Sequence, residues 1–69
     1  MKVNNNPSGA VVKVRRLDAG LTQVEAADLI HKSVDTFRGY ERGRIVMQLD
    51  TWELFMLKTR KHVKRERGG

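Results

Sequence analysis

Sixty-nine residues without a cysteine make one small domain, with no disulfide framework and no thiolate metal site. The balance of 14 Lys and Arg against 8 Asp and Glu, a formal charge of +6 and a pI near 10.3, favours a polyanionic partner. His31 and His62 stand alone, too few for a metal cluster, and the apolar runs are too short to span a membrane.

The chain opens with MKVNNNPSGA, which lacks the apolar stretch of a secretory signal and so predicts a cytoplasmic, nucleoid-associated protein. Residues 1–7 are turn-forming and polar, and read as a flexible arm. Ser8 is expected to cap a first helix, with Ala10, Val11, Val14 and Leu17 as its apolar stripe and Gly20 as its stop. Thr22 is expected to cap a second helix, with Glu25 three residues on completing a capping box. The apolar set of that helix is Val24, Ala26, Ala27, Leu29 and Ile30.

Ser33 is the predicted cap of a third helix ending near Gly43. A connector over 44–49 then leads to Asp50, the predicted cap of a longer fourth helix, with Glu53 at the capping-box position. Ile45–Met47 is too short to count as a strand. The expected fold is all-α: a compact four- to five-helix bundle over 8–64, with a helix-turn-helix at 22–43 and a flexible basic tail at 65–69.

A short helix, a tight turn and a second short helix in a basic chain have the layout that lays its second helix in the major groove of double-stranded DNA. At about 100° per residue, Phe37 and Tyr40 share the inner face of the third helix. Val34, Asp35, Arg38 and Arg42 share the outer face, with Gly39 at its edge. Arg38 is suited to bridge O6 and N7 of guanine. Asp35 can accept from cytosine N4 or simply orient Arg38, and Val34 can touch a thymine methyl. Ser33 can meet a phosphate or a base, although capping alone explains it. Arg42 is expected on phosphate. Gln23, first in the second helix, can hold a phosphate or be an ordinary surface residue. Lys32 and Arg44 flank the unit as further phosphate candidates.

The segment LTQVEAADLIHKSVDTFRGYERG resembles the Cro/repressor-type (XRE) helix-turn-helix through Leu21, Thr22, Gln23, Ala27, Ser33, Thr36, Phe37, Tyr40, Glu41 and Gly43, without a gap. The resemblance extends over about 12–57. It implies phosphate contact around Thr22 and Gln23, base reading by Ser33, Val34 and Asp35, and further groove-facing positions at Arg38 and Gly39. It also implies a structural ion pair between Arg16 and Glu41. The chain departs from the pattern at the turn, where His31 replaces glycine and Lys32 replaces a hydrophobic residue, and at Gly39, which brings no side chain to the groove. The stretch after the motif, with WELF and LKT, also looks like small phage and bacterial regulators encoded beside anti-CRISPR genes.

The fourth helix is apolar nearly all round. Trp52, Phe55, Met56, Thr59 and Val63 share one face and Leu54 and Leu57 another, so one stripe is expected to serve the core and one a second subunit. Trp52, Leu54, Leu57 and Lys61 are the interface candidates. No catalytic constellation, phosphate-cradling glycine loop or metal spacing is present, so the sequence predicts neither an enzyme nor a cofactor. The leading expectation is a homodimeric transcriptional repressor or autoregulator on a pseudo-palindromic operator. An antitoxin or adaptor gripping a protein partner through the fourth helix is the alternative, and RNA binding by the basic tail is a third reading.

Overall fold

The computed structural model describes residues 6–63, with side chains as far as Arg60. Most of the expected arm, the Lys61 side chain, Val63's place on its face and the basic tail lie outside the described residues. The chain forms α1 (Gly9–Asp18), α2 (Gln23–Leu29), α3 (Val34–Arg42) and α4 (Leu49–Val63), with no strand among the described residues. The fold is all-α.

Local hydrogen bonds start the first three helices. Ser8 Oγ accepts from Val11 N at 3.2 Å. Thr22 Oγ1 accepts from Glu25 N at 3.1 Å while Thr22 N donates back to Glu25 Oε1 at 2.9 Å. Ser33 Oγ accepts from Thr36 N at 3.1 Å. Each such cap contributes about 1 kcal/mol by satisfying an orphan donor.

The same three helices stop in one way. Leu21, Lys32 and Arg44 donate their N–H to the carbonyls of Arg16, Ala27 and Gly39, five residues back, at 3.2, 2.9 and 2.9 Å. The residue before each donor is left-handed: Gly20 at φ 74°, His31 at φ 60° and Gly43 at φ 80°.

The start of α4 departs from expectation. Trp52 N donates to Gln48 O at 3.0 Å, so the helix begins at Leu49 and Asp50 lies within its first turn. Asp50 Oδ1 accepts from the adjacent Thr51 N, at 2.8 Å. A carboxylate in a first turn is favourable against the helix dipole without being the cap.

Val12, Ala26, Ala27, Ile30, Phe37, Tyr40, Met47 and Phe55 form the core, with Leu21, Leu29, Trp52 and Leu54 packed against it. Phe37 stands edge-on to both Tyr40 and Phe55, with ring centroids 6.1 and 5.5 Å apart. α3 packs on α2 and α1, and α4 packs on α1 and α2 and meets α3 through Phe55. Helix α1 comes so close to the end of α3 that a Cβ on Gly9 would lie 2.7 Å from Tyr40 O.

The expected apolar stripe of α1 is on the outside: Val11, Val14 and Leu17 are exposed, and Val12 and Ala19 are buried instead. Two arginines take the inward face. Arg16 reaches Glu41 and Leu21 O; Arg15 donates from Nε to Thr59 Oγ1 at 2.8 Å and from Nη2 to Met56 O at 2.9 Å. Polar side chains whose donors are matched can be covered at little cost, and here they displace the apolar residues from the inner face. Val24 of α2 is likewise exposed. On α4 the two expected faces are not separate: Leu54 packs on the core beside Trp52, while Leu57 is left in solvent.

Candidate nucleic-acid interface

Burial of Phe37 and Tyr40 sets the rotation of α3, and that rotation turns Asp35, Arg38 and Arg42 outward while Val34 stays half-buried. Burial, helped by the Asp50 charge, pushes the Tyr40 phenol above its usual value. Beside this face lies a hollow of about 510 Å³ lined by Asp35, Thr36, Arg38, Gly39, Arg42, Arg44 and Ile45. Three guanidinium groups and one carboxylate share that surface, so its field favours an anion.

Behind the hollow runs a connected set of hydrogen bonds. Arg16 Nε donates to Glu41 Oε2 at 2.6 Å and Arg16 Nη2 to Glu41 Oε1 at 3.3 Å, with both side chains largely withdrawn from solvent. Arg16 Nη1 also donates to Leu21 O at 3.0 Å, which ties the pair to the link between α1 and α2. Gln23 Nε2 donates to Glu41 Oε1 at 2.9 Å. Its other amide atom, Oε1, accepts from Arg38 Nε at 3.4 Å, and Arg38 Nη1 meets Asp35 Oδ1 at 3.3 Å. A carboxylate only accepts, so Glu41 holds the amide of Gln23 with its oxygen toward Arg38.

These contacts place the residues singled out in the sequence. Arg38 and Asp35 are neighbours; their side chains are 49% and 89% exposed, so solvent or a base edge can replace the partner at small cost. Gln23 bridges the buried pair to Arg38 rather than standing as a plain surface residue. Thr22 Oγ1 is engaged in its capping box. Ser33 Oγ accepts from Thr36 N and donates to Thr36 Oγ1 at 3.0 Å, so its hydroxyl is occupied in the helix start. Lys32, Arg42 and Arg44 are exposed around the unit.

Gly39 is buried at the edge of this face, and Ile45 takes the space that a side chain there would need. Sequence reasoning passed over Ile45 and Arg15. For Ile45 the available signal was a side chain two residues beyond the helix stop at Gly43, where the chain folds back on α3. For Arg15 no local signal existed, because its partners lie on α4.

The interface candidates of α4 divide. Trp52 is half-buried, Leu54 is packed on the core, and Leu57 is 59% exposed at a hollow of about 410 Å³ shared with Arg15, Glu53, Met56 and Arg60. Among the described residues no helix is long and apolar enough to cross a membrane.

Residues 9–56 match a family model described as a helix-turn-helix domain, a stretch that runs from the start of α1 into α4. No curated protein matches the chain.

Proposed function

The chain belongs to the helix-turn-helix domain family, and from that premise we propose that it is a sequence-specific double-stranded DNA-binding repressor or autoregulator of the Cro/repressor (XRE) type. The observation that carries this reading is the exposed face of α3, where Arg38 stands beside Asp35 and is backed through Gln23 by the buried Arg16–Glu41 pair. A reading arginine held from behind meets guanine with less ordering cost than a free one. Arg42 and Arg44, on the rim of the same hollow, supply phosphate contacts that set register and give a steep salt dependence.

In this reading the protein acts by occupying a promoter, not by catalysis. It does so as a homodimer on two half-sites about 34 Å apart. The exposed Leu57 favours a subunit contact on α4, which an antitoxin or adaptor would instead offer to a different protein. A small phage or bacterial regulator of the anti-CRISPR-associated kind fits the same set of features.

Selection of bound sequences from random DNA tests the reading. The expected result is one enriched motif with two-fold symmetry. Arg38→Ala should lose about 10-fold or more of the preference for that motif over random DNA, since one bidentate arginine–guanine contact is worth about 1–3 kcal/mol. Enrichment of no sequence at all would overturn it.

A further inference from the structure

At Gly39 the outward surface of α3 is supplied by the loop that follows it. A Cβ built on Gly39 would lie 2.5 Å from Ile45 Cδ1 and 2.9 Å from Ile45 Cγ1, so Ile45 occupies the space a side chain at 39 would need. The backbone holds it there: Arg44 N and Ile45 N both donate to Gly39 O, at 2.9 and 3.2 Å. Yet Ile45 is not absorbed into the core. It is 43% exposed and lines the same hollow as Asp35, Arg38 and Arg42. An aliphatic group pinned on a basic surface, half in water, gives up apolar burial that a bound surface would recover.

We propose that Ile45 is a specificity-determining residue that makes an apolar contact with the 5-methyl of a thymine in the major groove. The loop thereby restores, from outside the helix, the contact that Gly39 cannot make. The 5-methyl is the one apolar feature of a base edge in that groove, so an aliphatic side chain there reads thymine. Position 39 lies about one and a half helical turns beyond Val34, so the two residues meet different base steps. The assignment rests on the reading of the chain as a specific DNA binder, and its test separates the two.

On the selected site, each thymine is replaced in turn by uracil, which removes only the methyl group. Binding of the wild type, Ile45→Ala, Ile45→Val and Val34→Ala is then measured. The wild type should weaken about fourfold at one thymine that Val34→Ala still distinguishes, the value of one buried methyl. Ile45→Ala should bind thymine and uracil equally at that position, with Ile45→Val between the two and the salt dependence unchanged, because no charge is lost. Ile45→Ala or Ile45→Val with native helical circular dichroism and the full thymine preference at every position would overturn the assignment alone. So would a wild type indifferent to every uracil. A selection that enriches no sequence would overturn specific binding and the assignment together.

Discussion

His31 shows how much a single residue can cost a fold of this size. It stands in the left-handed region at φ 60°, between Ile30 and Lys32, where α1 and α3 use glycine at the equivalent place. The two hydrogen bonds that define the stop, His31 N to Asp28 O and Lys32 N to Ala27 O, are both made, at 3.2 and 2.9 Å. The turn is therefore kept and the strain is carried by the side chain's Cβ. His31→Gly removes that clash but adds freedom to the unfolded chain, for a net gain of about 0.5–1 kcal/mol. Thermal unfolding should show Tm raised by about 4 °C, with the selected DNA site unchanged. A lowered Tm would mean that the imidazole contributes something the turn needs. Glu41 is the opposite kind of residue: nearly buried, it accepts from both Arg16 and Gln23, so its charge is matched from two sides.

Among the elements, α4 is joined to the rest by more than apolar packing. Thr59 is fully buried; its Oγ1 donates to Phe55 O at 2.6 Å and accepts from Arg15 Nε at 2.8 Å. Arg15 thus fastens α1 to α4, while Arg16, its neighbour, fastens α1 to α3. Arg15→Ala should destabilise by about 2 kcal/mol, the worth of a charged hydrogen-bond donor whose buried acceptors lose their partner. Urea unfolding should show a lower midpoint at an unchanged slope, and the DNA motif selected by the variant should be that of the wild type. A changed motif with unchanged stability would show that Arg15 serves the interface instead. The N-terminal boundaries of α1 to α3 follow the caps read from Ser8, Thr22 and Ser33, whereas α4 starts ahead of Asp50 because Gln48 O already takes the first helical bond.

For the molecule as a whole, assembly bears on the apolar surface that folding leaves uncovered. Val11, Val14 and Leu17 on α1 and Leu57 on α4 are all large and exposed. Under the proposed function one such surface is closed by a second subunit. Light scattering at tens of micromolar should then give twice the mass of a 7.9 kDa chain, and Leu57→Glu should return the monomer and weaken operator binding. A wild-type protein that stays monomeric with and without operator would sink the dimer and leave single half-site binding.

What the amino-acid sequence determined by itself is local: three caps, the two glycine stops at Gly20 and Gly43, and the outward turn of Asp35, Arg38 and Arg42 once Phe37 and Tyr40 are taken inward. Each depends on residues three to five apart, within one or two turns of chain, so the partners are visible in a short window. Tertiary structure decided the rest. It chose which face of α1 is inside, because the partners of Arg16 and Arg15 lie 25 and 44 residues away, and an arginine can be covered only when such acceptors arrive. It placed Leu54 on the core and Leu57 outside, and it laid Ile45 over Gly39. Apolar spacing ranks candidate faces; distant hydrogen-bond partners and close backbone approach choose among them.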